Sequence, residues 1–246
     1  MTEKQFFDYL EKQLAGHLEE SALYKEKFVK RLLALLQEKA GDLRSAEGQK
    51  RLKLLRRIFV AAGYGQYWRL VQESFERLLA AQNEHWRKNT KAGAATPRSN
   101  TRLLGFEAVE FEQFGKLGKD SIEELNRLFS EAQKDNWTRA RLIEEIGAMG
   151  GKTGQYSEAI ADTALRGWDR TVTAIKAEAA GIEKALYDGP ALIPTSHKFC
   201  EEHYKRIYSR DEILEMDNGQ LNPVITYCGG YRCRHRWRWL IRKVLK

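Results

Sequence analysis

Apolar residues recur at spacings of three and four through most of this chain, a period that restricts it to amphipathic helices packed face to face. Phe7, Leu10, Leu14 and Leu18 mark a first stripe, with Thr2 and Gln5 placed as a capping box ahead of it. A second helix runs from about Leu23 to Lys39 through Phe28, Leu32, Leu35 and Leu36. A third, over Gly48 to Ala62, carries Leu52, Leu55, Ile58 and Phe59 on one face and Lys50, Arg51, Lys53, Arg56 and Arg57 elsewhere. After the break Gly63-Tyr64-Gly65, a fourth shows Trp68, Val71, Phe75, Leu78 and Leu79. The stripes read as a bundle core rather than a cofactor box. The basic face of the third helix is the functional candidate of this half.

Periodicity lapses over residues 88–101, where small residues, Pro97 and Ser99-Asn100 read as a linker or exposed loop. Residues 105–118 fit either a short strand or a helix, through Phe106, Val109, Phe111 and Phe114. Ser121 and Glu124 form a capping box that opens a helix to about Gln133, and Trp137 to Ile146 reads as a short helix ended by Gly147 and Gly150-Gly151. A long helix follows from Ser157 to Ala180. Beyond it one helix is clear, Arg210 to Met216, capped by Ser209 with Glu212 three residues on and stopped at Asp217-Asn218-Gly219. The expected fold is mainly α: an N-terminal helical bundle (1–90), a linker (91–104), central helices (105–190) and a small α+β subdomain holding cysteines and histidines (191–246).

Charge is distributed unevenly. The first 40 residues are neutral, residues 41–104 carry +8, residues 105–190 carry −5 and residues 191–246 carry +5. Two basic blocks around an acidic middle suit contact with a polyanion or an acidic protein. Three cysteines, without a basic and apolar leader at the N-terminus, argue for reduced thiols rather than a disulfide framework. No window reaches the length of apolar residues a membrane helix needs.

All three cysteines and three of the five histidines fall within residues 197–235. Cys200-x-x-His203 and Cys233-x-His235 are two short ligand pairs, and Zn²⁺ favours four thiolate and imidazole ligands so arranged. Cys228 and His197 are the substitutes. The competing reading is that the cysteines are small buried hydrophobes and the histidines surface residues. No P-loop, GxGxxG, HExxH or GxSxG occurs. The carboxylates a metal nuclease would need, Glu201, Glu202 and Asp211, read as solvent-facing, so the chain is not expected to be an enzyme.

The tail interleaves Arg232, Arg234, Arg236, Arg238, Arg242 and Lys243 with Trp237 and Trp239. If residues 232–239 are extended, the arginines share one face and Cys233, His235, Trp237 and Trp239 the other. One face then packs while the other meets phosphate, an acidic surface or solvent.

The C-terminal third also resembles the tailed-phage minor head (head-morphogenesis) family. The matching stretches are TALRGWDRTVTAIKAEAAGIEKALYDGP (163–190), FCEEH (199–203), YSRDEI (208–213), MDNGQ (216–220) and GGYRCRH (229–235). The family's aspartate and Thr-Arg pair ahead of the first cysteine are replaced here by Leu192 to His197, and Arg232 stands where asparagine is usual. The resemblance implies a virion assembly protein that associates with the portal protein and with capsid or scaffold proteins, and that contacts packaged double-stranded DNA. It implies no membrane and no small-molecule substrate. Some relatives carry a toxin or nuclease domain after this block; the seven residues past Trp239 leave no room for one. A metal-dependent nuclease and a free-standing nucleic-acid-binding protein are the alternatives.

Overall fold

A computed structural model describes residues 3–90 and 96–241. Thr2, residues 91–95 of the expected linker, Arg242 and Lys243 thus lie outside the described residues, and the linker's last four residues belong to a helix. The chain forms helices α1 (Glu3–Glu38), α2 (Ala40–Ser45), α3 (Gly48–Ala62), α4 (Tyr64–Asn89), α5 (Thr101–Lys134) and α6 (Arg139–Ala179). Strand β1 (Lys184–Asp188), α7 (Lys198–His203), β2 (Ile207–Ser209), α8 (Arg210–Glu215), α9 (Val224–Tyr227) and β3 (Arg236–Trp239) follow. The mainly α class with a small α+β C-terminal part is as the sequence predicts.

Two compact units divide the chain: Met1–Leu18, Gln72–Ala108 and Asp162–Lys246 in the first, Glu19–Val71 and Val109–Ala161 in the second. They do not follow the consecutive segments read from sequence, because α1, α4, α5 and α6 each supply residues to both.

Three predicted breaks are absent. The first two helices are one, α1, since the buried stripe continues through polar His17 and Ser21. Ser21 pairs there with the Tyr67 hydroxyl at 3.2 Å. The ambiguous stretch 105–118 is helical, and Ser121 caps nothing: it is buried inside α5, where its Oγ accepts from Thr153 Oγ1 at 3.3 Å. Asn100, read as loop, starts α5 by accepting the Arg102 N–H at 3.0 Å. The predicted stop at Gly147 to Gly151 lies within α6. Gly150 and Gly154 serve close packing instead, because a Cβ there would stand 2.5 Å from the Leu33 side chain and 2.6 Å from that of Val29.

The second unit is built on Phe28, Leu32, Leu36, Leu55, Phe59, Phe129 and Ile146. Within it α3 corrects one expectation. Lys50, Lys53, Arg56 and Arg57 are exposed, but Arg51 is only 2% exposed. Its guanidinium donates to Leu43 O at 2.8 Å, Asn126 O at 3.3 Å, Gln133 Oε1 at 2.8 Å and the Ser130 hydroxyl. Position 51 falls on the buried side of the helix, so this cation ties α3 to α5 and presents no charge to a partner.

In the first unit Trp168 stacks on Phe75 at 4.5 Å and donates its indole N–H to the Phe75 carbonyl. Helix α6 ends with the Ile182 N–H on Ala177 O and Gly181 at φ 65°, the hydrogen bond of a Schellman stop. The chain then forms an antiparallel sheet ordered β2-β1-β3, with Ala185 opposite Tyr208 and Tyr187 opposite Trp237. Its buried face, with Ala174, Ala177, Phe199, Ile213 and Val224, makes the core that carries the cysteines. The predicted capping box of Ser209 and Glu212 is present at α8.

Two outcomes are expected. Arg51→Ala leaves several buried carbonyl and side-chain acceptors unsatisfied and should lower the free energy of unfolding by about 3 kcal/mol in a urea titration, whereas Arg57→Ala should leave the midpoint in place. Lys176 on α6 is 1% exposed, and burial pushes its ammonium down to about 8. The unfolded chain then holds a proton that the folded chain has released, so stability should rise between about pH 8 and about pH 10. Lys176→Met should flatten that rise and raise stability at neutral pH, as read by unfolding at a series of pH values.

Candidate metal centre

Cys200 lies on α7, one residue past Phe199, which packs into the core and turns the thiol inward. Cys233 and His235 lead into β3 with the alternation the sequence predicts: Cys233, His235, Trp237 and Trp239 are buried, while Arg234 is exposed and Arg236 and Arg238 are half-buried. Arg232, at φ 55°, is outside that extended run.

The donor atoms of Cys200, Cys233 and His235 all lie within 4.8 Å of one another. The two sulfurs are 3.6 Å apart, and Cys233 Sγ is 3.9 Å from His235 Nδ1. A tetrahedral ion with ordinary zinc bond lengths sets sulfur–sulfur and sulfur–nitrogen edges of about 3.8 Å and about 3.6 Å. The group is therefore already at ligand spacing and could hold a metal ion. The second nitrogen of His235 adds to this. Nε2 is 3.1 Å from the Pro190 carbonyl, which can only accept, so Nε2 carries the proton and Nδ1 turns its lone pair toward Cys233. A backbone carbonyl that fixes the tautomer is the usual support of a ligating imidazole.

Tyr187 and Arg170 complete the surroundings. The Tyr187 hydroxyl is 3.3 Å from Cys200 Sγ and 3.6 Å from Cys233 Sγ, and its ring stacks on His235 at 5.5 Å. Burial, then the neighbouring thiols, push the phenol far above its ordinary pKa, so it stays a donor to sulfur. Cys233 is held well below the ordinary thiol range, first by the hydrogen bond from Cys200, with help from the Arg170 guanidinium and the Tyr187 hydroxyl. Cys200, the donor of that bond, is raised accordingly. Of the two thiols, Cys233 is thus the more readily deprotonated.

The other sequence candidates fall outside this group. His203 Nδ1 pairs with the Tyr208 hydroxyl at 2.7 Å and its ring rests on Phe199 at 4.2 Å, so the expected Cys200-x-x-His203 pair does not converge. Cys228 is fully buried, pushed up to about 12 by burial, and its sulfur takes the Trp237 backbone N–H. His197, at the N-cap of α7, pairs through Nδ1 with the Gly229 carbonyl. Of the basic tail, Arg236 is committed to Glu11 and to Asp169 at 3.3 Å, and Arg238 to Asp188 at 2.9 Å. Arg234 alone of the three keeps the exposed position expected of a contact residue. Glu201, Glu202 and Asp211 are exposed, as read from sequence.

Sequence reasoning missed Tyr187 and Arg170. Tyr187 carries no local signal beyond its place in a short apolar strand. Arg170 had one, a charged Asp169-Arg170 pair inside a helix otherwise rich in apolar and small residues. No family model, no curated protein and no solved structure matches the chain. No helix among the described residues is long and apolar enough to cross a membrane.

All three cysteines are free thiols and all are buried. A thiol reagent should therefore modify none of them promptly in the native protein and all three in guanidinium, as counted by absorbance or intact mass; prompt native labelling would contradict this packing.

Proposed function

We propose that the protein is a minor head protein of a tailed phage, acting in virion head morphogenesis, and that its Cys200, Cys233 and His235 group holds Zn²⁺ as a structural tie. The observation that carries this reading is where the resembling segments meet. Cys200 of FCEEH approaches Cys233 and His235 of GGYRCRH, and Tyr187 from the 163–190 run reaches both sulfurs. Asn218 of MDNGQ donates to the Leu221 and Cys228 carbonyls, both at 2.7 Å, and Ser209 of YSRDEI caps α8. These signature residues brace one another, which is what a scaffold needs.

Hydrolytic chemistry is less well supported. Among the described residues the converging donors include no carboxylate, whereas metal nucleases place carboxylates beside their ions. A sulfur-rich donor set with a fixed imidazole suits a closed structural zinc. The exposed cations Lys50, Lys53, Arg56 and Arg57 suit the acidic surface of a portal, capsid or scaffold protein, or the phosphates of double-stranded DNA. The place of action in this reading is the procapsid interior or portal vertex, after assembly in the host cytoplasm.

The test is co-purification of the full chain with the portal protein encoded beside its gene, together with elemental analysis. Retention, near one zinc per chain and no nicking of plasmid DNA with added divalent metal are the expected results. Reversing Lys50, Lys53, Arg56 and Arg57 to glutamate should abolish retention while leaving the zinc content unchanged. Failure of the native chain to bind the portal would remove the head-assembly reading, and nicking would put the nuclease in its place.

A further inference from the structure

Three donors leave a tetrahedral ion one position short, and the surroundings of Gly229 show what fills it. A Cβ on Gly229 would stand 2.4 Å from Cys200 Sγ, 3.2 Å from Cys233 Sγ and 3.3 Å from His197 Nδ1. Two sulfurs of the group and a further imidazole nitrogen thus crowd around a single point beside the Gly229 backbone. We propose that His197 is the fourth ligand, giving a Cys₂His₂ site of Cys200, Cys233, His235 and His197 for a borderline-soft, tetrahedral divalent ion of the zinc class. The assignment rests on the zinc reading above and replaces the His203 that the Cys-x-x-His spacing singled out.

The other candidates are each turned away or spoken for. His203 points to Tyr208, and the Cys228 sulfur faces the Trp237 N–H. Tyr187 keeps its proton and donates to the sulfurs, a supporting role that spreads thiolate charge without occupying the ion. His197 has both reach and freedom. It sits at the N-cap of α7, is half-buried, and makes no side-chain bond to the helix it precedes. Its hold on the Gly229 carbonyl parks the imidazole at the edge of the group. Exchanging that hydrogen bond for a metal–nitrogen bond takes a turn of one ring about a helix terminus. The thiol protons still present leave to solvent as the ion binds. Glycine at 229 is what keeps this space open, since any side chain would stand against both sulfurs.

The ligand set is testable with Co²⁺, whose visible bands report sulfur ligation and coordination number. The purified full chain is titrated with Co²⁺ alone, alongside His197→Gln, His203→Gln and Cys200→Ser, with circular dichroism to verify that each is folded. The native chain and His203→Gln should give the same intense tetrahedral spectrum with thiolate charge transfer. His197→Gln should bind on the order of tenfold or more weakly, with weaker, shifted bands as water replaces the imidazole. A His197→Gln spectrum and affinity equal to the native ones would overturn the assignment while leaving the three-donor centre standing, and so would a loss confined to His203→Gln. If the native chain binds no Co²⁺ better than Cys200→Ser does, the zinc reading fails and the fourth ligand with it.

Discussion

The C-terminal third hangs on Arg170. A guanidinium buried on a long helix is costly unless its donors are met, and here it is met by the carbonyls of Thr226 and Cys233. These two carbonyls belong to the end of α9 and to the run into β3, so one side chain of α6 fixes both segments. With Cys233 held, β3 pairs with β1, Tyr187 comes opposite Trp237, and its hydroxyl arrives between the sulfurs. The preceding residue does the converse with the opposite charge. Asp169 accepts from Gln82 of α4 at 2.7 Å and faces Arg236 of β3. Two adjacent charged residues thereby join a helix, a loop and a strand. The same cation that orders the loops also favours a thiolate at Cys233.

The helices were legible because burial imposes its period on the sequence, and α3 and α8 begin where the sequence predicts. Their breaks were not legible, for a physical reason. Serine and glycine have two uses: they cap and stop helices, and they let two helices approach closely. Ser121 and Gly150 take the second use, and only the identity of the neighbour, Thr153 in one case and Leu33 in the other, distinguishes it. No single sequence carries that information locally. Arg51 fails in the same way. Its charge reads as surface, yet its place on the helix and the acceptors of α5 make it core.

The candidate centre was half legible. Two of its donors share the short Cys-x-His spacing, and a two-residue alternation correctly placed Cys233 and His235 on the buried face. The Cys-x-x-His pair misled, because three residues on a short helix put His203 within reach of Tyr208 as readily as of the sulfurs. Gly229 and Pro190 contribute only backbone and space, properties that composition does not display. What emerges is a cysteine-bearing core braced by Arg170, Asp169 and Tyr187 in one unit, and an exposed cationic row on α3 in the other. Rigid support and an outward charged face are the parts an assembly protein requires, and they are what the zinc and head-protein proposals draw on.

The interleaving of the two compact units bears on how such a chain can be inherited. The backbone passes between them at residues 18–19, 71–72, 108–109 and 161–162. The first unit therefore gathers three separated stretches and the second gathers two. A single recombination point in the gene can never separate one unit from the other, and a crossover between codons 19 and 161 splits the cores of both. Exchange of contiguous gene blocks would have to treat residues 19–161 as one indivisible piece, and the last 85 residues, sheet and cysteines included, form the long uninterrupted stretch of the first unit.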